Sequence, residues 1–250
     1  MLFETLIATA AAGASGTANA MNQMGFGHLM QEMIGDPGKF IMSWVVLITL
    51  IVMSAMSWYW TVINALKATR LKSAGTRVIN AFWDTPNAQD AIRLMEEEAK
   101  NEPFSKIALD AAQAASHHQR ADGLSGSLSR SEFVDRALRQ AVTRESGKLQ
   151  AGMTVLASTA AAAPFVGLLG TVWGIYGALI NIGATGQASI DAVAGPVGEA
   201  LIMTALGLLV AIPALLAFNF FSRTNAATNS RFDTFAHDLH DFFATGARVR

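Results

Sequence analysis

Residues 150–222 contain no lysine or arginine, and their only acids are Asp191 and Glu199. A stretch with so few ionisable groups cannot form a water-facing surface, because polar and charged side chains are what keep a folded exterior hydrated. Two membrane crossings of about 20 residues each fit inside it. The rest of the chain agrees: only 15% of residues are charged and 52% are hydrophobic, against about 25% charged in soluble domains. The expected fold class is therefore all-α, a membrane-spanning helical protein.

Three spans are expected. The first is 40–65, an uncharged run with Phe40 and Trp44 at one end and Trp58, Tyr59 and Trp60 at the other. Trp44 and Trp58 are about 21 Å apart along a helix, a suitable separation for an aromatic belt. The second span is 153–182 and the third 192–221, joined by a short Gly/Thr/Ser loop at 183–191 whose residues favour a turn. Of the eighteen basic residues, Lys39 alone precedes the first span, thirteen lie in 66–150, none lies in 183–191 and four follow Phe221. The positive-inside rule then puts segment 1–39 and the short loop outside, and 66–150 and 222–250 inside. Ala18-Asn19-Ala20 resembles a signal cleavage site, but Glu4 and the lack of a basic start argue against removal. Met24, Leu29, Met30 and Met33 suit an interfacial helix over 21–34.

The inner segment 66–150 reads as a helical domain. Thr85-Pro86 opens a helix carrying Ile92, Met95 and Ala99, and residues 101–103 break it. A second helix starts at Pro103, residues 121–127 (ADGLSGS) form a linker, and Ser129 with Glu132 forms a capping box. From there 130–182 reads as one long helix that Gly147 and Gly152 weaken without breaking. The chain has no cysteine, which excludes disulfides, zinc ribbons and thiol nucleophiles. His117-His118 reads as a solvated face, and His237 with His240, beside Asp233 and Asp241, as an exposed amphipathic helix. No metal, cofactor or enzymatic constellation is expected. A net charge of −1 gives no pull toward nucleic acid.

Small residues recur along both later spans. Ala160, Ala163, Gly167, Gly170, Gly174, Gly177 and Asn181 alternate spacings of three and four, as do Ala200, Thr204, Gly207, Ala211 and Ala214. Such seams let helix backbones approach closely in lipid, where apolar contact alone gives little drive. Two of them suggest an oligomeric bundle, with a tight pair inside one chain as the alternative. Pro164 and Pro213 each remove a backbone hydrogen bond within a span, marking a packing kink or a flexing point.

Glu199 is the exception to this apolar pattern. It lies about 10 Å from the outer end of the third span, where an acid is costly and functional by default. A low-dielectric site disfavours a bare carboxylate, so Glu199 is a candidate for proton exchange. Thr171 and Thr204 lie at similar depths, and with Glu199 they form the expected proton path.

Residues 164–179 (PFVGLLGTVWGIYGAL) and 197–219 (VGEALIMTALGLLVAIPALLAFN) resemble the ExbB/TolQ/MotA family of proton-channel subunits, most closely its ExbB branch. Family members often read Ala-Pro-Gly-Ile-Ala-Glu where residues 194–199 read AGPVGE, and Gly-Ala-Ile-Ser-Pro where residues 160–164 read AAAAP. The resemblance puts the family's conserved acid on Glu199 and its threonines on Thr171 and Thr204. It implies a homopentamer in the bacterial inner membrane, around helices of an ExbD-like single-span partner. Proton flow would then energise a TonB-like protein for outer-membrane import of ferric siderophores or vitamin B12-like nutrients. A Tol-Pal role, or a scaffold that only positions a partner helix, is the alternative; flagellar stator subunits usually have four spans. In this family the obligate aspartate belongs to the partner, so Glu199 either carries the proton or tunes pore hydration.

Overall fold

The computed structural model describes residues 34–35, 41–85, 87–98, 102–120, 130–186 and 190–245. The Ala18-Asn19-Ala20 motif, nearly all of the interfacial segment, the 121–127 linker and Ser129 lie outside the described residues. So do the side chains of His117, His118 and Asp191. Among the described residues the regular elements are helices: α1 (Ile41–Asp84), α2 (Ala88–Glu98), α3 (Pro103–Arg120), α4 (Arg130–Leu149), α5 (Met153–Thr185) and α6 (Ile190–Thr245). Among the described residues three stretches are long and apolar enough to cross a membrane, Ile41–Asp84, Ser131–Thr185 and Ala194–Ala244.

The first apolar run does not end its helix near Ala65, since α1 continues to Asp84. Helix α2 starts at Ala88, where the Asn87 side chain accepts a hydrogen bond from the Gln89 amide at 3.2 Å. That contact satisfies one orphan N–H of the first turn. Pro103 opens α3, a position where its missing N–H is no loss.

One expectation is corrected here: 130–182 is not a single helix. The chain turns at residues 150–152, where Gly152 adopts φ +80°. A Cβ at Gly152 would collide with the Trp60 ring, so the position needs glycine for two reasons. Carbonyls at the end of α4 and in the turn after it would otherwise be orphaned, but two distant side chains supply donors. Asn225 Nδ2 donates to the Leu149 carbonyl at 2.9 Å, and Asn64 Nδ2 to the Ala151 carbonyl at 3.3 Å. Gly147 stays helical, with open space around it. The short loop also narrows, because α5 runs on to Thr185 and α6 begins at Ile190. Gly186, at φ +67°, follows the last turn of α5 in the left-handed conformation common beyond helix ends.

The chain divides into two compact units. The described residues of Met1–Trp58 and Val155–Leu216 form the first. Its core is Val46, Leu47 and Leu50 of α1, Ala163 of α5, and Met203 and Ala211 of α6. Its outer faces are apolar and exposed, including Phe165, Leu169, Val172 and Tyr176 on α5, as lipid or protein contact requires.

The described residues of Tyr59–Thr154 and Ala217–Arg250 form the second unit. Its core gathers Val78 and Phe82 of α1, Met95 of α2, Phe104 and Ile107 of α3, Val134 and Leu138 of α4, and Phe232, Phe235, Leu239 and Phe243 of α6. The end of α6 is thus not merely an exposed amphipathic helix: its apolar stripe is a wall of this core. Phe104 meets Phe232 with ring centroids 4.8 Å apart, and Phe82 meets Phe235 at 6.0 Å, both edge to face. This geometry suits aromatic quadrupoles. Gly75 makes room for the Phe104 ring, which lies 2.6 Å from where a Cβ would sit.

Candidate functional site

Helices α5 and α6 pack antiparallel along their small residues. A Cβ at Gly207 would lie 2.6 Å from the Ala163 carbonyl oxygen, and one at Gly167 would lie 2.6 Å from that of Met203. One at Gly170 would meet the Met203 side chain at 2.8 Å, and one at Gly174 the Ala200 Cβ at 2.9 Å. Ascending numbers on α5 pair with descending numbers on α6. Ala163, Ala200 and Ala211 are buried with them. The two seams therefore close on each other within one chain. The contacts are those of the tight pair inside one chain, so the small residues that meet here do not by themselves call for a second copy. Gly177 has nothing within 4 Å of a Cβ position and takes no part in the seam. Both helices continue through Pro164 and Pro213, and α6 also contains Pro196.

This register orders the three polar residues. Thr171 follows Gly170, so it lies near the level of Met203. Glu199 precedes Ala200, so it lies near the level of Gly174 and about one helical turn, roughly 5–6 Å, from Thr171 along the pair. The Cα of Thr204 lies 3.0 Å from where a Gly167 Cβ would be, which places Thr204 about a turn beyond Thr171 on the other side. The order along the helix pair is Glu199, Thr171, Thr204. Glu199 is 9% exposed and Thr171 6%, while Thr204 is half-buried. The Thr171 hydroxyl donates to the Leu168 carbonyl at 2.7 Å, which leaves its lone pairs as acceptors. A protonated carboxyl donates as well as accepts, and a hydroxyl whose proton is given to a backbone carbonyl, as at Thr171, still accepts from a bridging water.

Two buried hydroxyls in this unit escape the sequence reading. Ser57 is 4% exposed and Thr159 3%. Both could have been found: Ser57 continues the inward stripe Val46, Leu50, Met53, and Thr159 lies one turn before Ala163. Asn64, 5% exposed, was hidden because its partner, the Ala151 carbonyl, belongs to an unforeseen turn.

The histidines of α6 lie in the second unit. His240 Nε2 is 2.9 Å from the Ser131 hydroxyl, and its Nδ1 is 3.3 Å from Asp241, so it ties the end of α6 to the start of α4. His237 is exposed, with Asp241 at 3.9 Å. Among the described residues no three metal-ligating side chains converge. Glu145 of α4 is 1% exposed and engaged by Lys148 at 2.6 Å and Arg144 at 3.5 Å; Arg144 also pairs with Asp110 of α3.

A carboxyl buried among apolar spans marks ion pathways, proton relays or ligand counter-ions, which points to the general class of membrane transport components. Family comparison is more specific. Residues 99–234 match the MotA/TolQ/ExbB proton channel family, and the chain belongs to that family. It is 74% identical, over the full length of both chains, to the biopolymer transport protein ExbB of Xanthomonas campestris pv. campestris strain B100. It is 42% identical to ExbB of Neisseria gonorrhoeae, over 82% of this chain and 92% of that one. Similarity to the Tol-Pal system protein TolQ of Pseudomonas aeruginosa, at 44% identity, covers 43% of this chain and 47% of the other.

Proposed function

We propose that this chain is a multi-pass subunit of a bacterial inner-membrane proton channel that works with ExbD-like single-span proteins. Proton flow through the assembly energises a TonB-like protein, which drives import of ferric siderophores and vitamin B12-like nutrients across the outer membrane. The observation that carries this reading is the buried Glu199, level with the Gly174 end of the α5–α6 seam, in a member of a proton-channel family. Full-length identity to ExbB proteins favours this role over the Tol-Pal one, where similarity is confined to part of the chain.

In this reading Glu199, Thr171 and Thr204 line the path. The first span lies within α1, the second is α5, and the third is the first half of α6. Lys67, Arg70, Lys72 and Arg77, just beyond the first span, support an inner location for 66–150 and an outer location for the N-terminus. The exposed apolar faces of α1, α5 and α6 would be covered by lipid, by partner helices and by further copies in a pentamer.

The test is nutrient uptake in cells whose own copy is replaced by Glu199→Gln or Glu199→Ala. Both variants should assemble at wild-type levels and lose uptake of ferric siderophores. Full uptake by both would overturn the reading and favour a scaffold.

A further inference from the structure

The second unit contains a cleft of about 460 Å³ that proton conduction does not use. Lys67, Arg70, Leu71, Glu102, Pro103, Lys106, Glu145, Lys148, Leu149 and Ala151 line it. Four cations face two carboxylates, and one of those, Glu145, is already neutralised by Lys148 and Arg144. The ion pairs formed among the described residues occupy Lys148 but not Lys67, Arg70 or Lys106. Lys67 keeps its ammonium 6.0 Å from the Trp60 ring centroid, the outer limit of a cation–π contact. The cleft is thus cationic, with a wall of Leu71, Pro103 and Leu149.

Glu102 gives the cleft a second character. Its Oε2 is buried with no hydrogen-bond partner. Burial pushes its carboxyl above the usual range, with Lys106 and Arg70 opposing. In its neutral form this carboxyl is a donor, and an anionic oxygen in the cleft would satisfy it. Sequence position supplies the remaining argument. Lys67 follows the proposed end of the first span by two residues, and Leu149 and Ala151 immediately precede α5. With the first span ending near Ala65 and 66–150 inside, a cleft lined by those residues would open at headgroup depth.

We propose that this cleft binds the phosphodiester headgroup of an anionic phospholipid. Arg70, Lys106 and Lys67 would contact the phosphate oxygens, and Leu71 and Leu149 the glycerol and first acyl carbons. Basic pockets beside inner span ends suit such headgroups, and the apolar wall favours a lipid over free phosphate, which has nothing to set against it. The proposal rests on the inner placement of 66–150 and is independent of proton conduction through Glu199.

Thermal unfolding of the purified full-length chain in neutral detergent tests it, with short-chain phosphatidylglycerol, phosphatidylcholine or inorganic phosphate added. Phosphatidylglycerol should raise the midpoint in a saturable way, and the other two should not. Arg70→Gln with Lys106→Gln should weaken the apparent affinity by roughly tenfold or more. Arg93→Gln with Arg139→Gln, cations outside the cleft, should leave it unchanged. An equal response to phosphatidylcholine overturns the proposal, as does an unchanged affinity in the Arg70/Lys106 variant. A shift with inorganic phosphate that blocks the lipid's effect also overturns it, because the ligand is then free phosphate. Loss of the lipid response with normal siderophore uptake separates this site from the channel.

Discussion

The two units of this chain hold helices together by opposite means. In the first, α5 and α6 meet across glycines and alanines, so that the nearest atoms to Gly167 and Gly207 are backbone oxygens. In the second, Phe82, Phe104, Phe232 and Phe235 fill the space between helices, and ion pairs such as Arg144–Asp110 lie around them. The solvent explains the contrast. Lipid tails are as apolar as leucine, so burying large side chains between spans gains little, and close backbone contact supplies the attraction. Water makes the burial of a phenylalanine strongly favourable. The first unit can therefore place a carboxyl where few other charges exist to screen it, while the second can carry charge freely.

The largest effect is expected in the aromatic core. Phe104→Ala empties a fully buried ring site and should destabilise the chain by about 3–5 kcal/mol, read as a lowered thermal midpoint in detergent. Hydrogen exchange should rise most at 78–82 and 232–243. If the α5–α6 seam loosens equally, the two units are not packed by separate means.

Gly207→Ala should follow at about 1–3 kcal/mol, because the added Cβ meets a carbonyl oxygen that cannot move aside. Gly177→Ala is its control: the surroundings are open, and stability should hold or rise slightly. A large loss at Gly177 would mean that the seam extends further than the contacts within one chain. Thermal unfolding of both variants in one detergent makes the comparison direct.

Glu102→Gln should have a smaller effect with a definite pH dependence. The carboxyl is held above its ordinary range by burial, so the neutral form is favoured in the folded state. Its stabilisation is present at acidic pH and lost as pH rises through the raised value. The glutamine variant should therefore be more stable than wild type at alkaline pH and match it at acidic pH. The opposite slope in a pH series of unfolding midpoints would show that Arg70 and Lys106 outweigh burial.

Arg93→Gln should have the smallest effect. Its partner Glu97 is 2.9 Å away, but the two side chains are 76% and 63% exposed, where ion pairs contribute little. No resolvable change in midpoint is expected, even in low salt.

Much of this contrast was legible in the chain. The absence of basic residues over 150–222 marked the spans, the 3-4 spacing marked their close-packing faces, and Glu199 stood out because no other acid lies so deep. What the spacing left open was the partner of each seam. A stripe of small residues records that a backbone comes near, and the same stripe serves a neighbour in the chain or a neighbouring copy. The break at Gly152 was hidden for a related reason. Glycine permits φ +80° anywhere, and the ring of Trp60 that fixes it comes from a helix far away in sequence. Phe232, Phe235, Leu239 and Phe243 likewise showed an apolar face without showing that α1 and α3 would cover it.

The role proposed for the buried carboxyl of the first unit is in proton movement. Its most direct test is proton flux into liposomes containing the chain together with its ExbD-like partner, under an imposed pH gradient. Wild-type complexes should dissipate the gradient, while equally assembled Glu199→Gln complexes do so at close to the rate of empty liposomes. Equal rates for wild type and Glu199→Gln would contradict it.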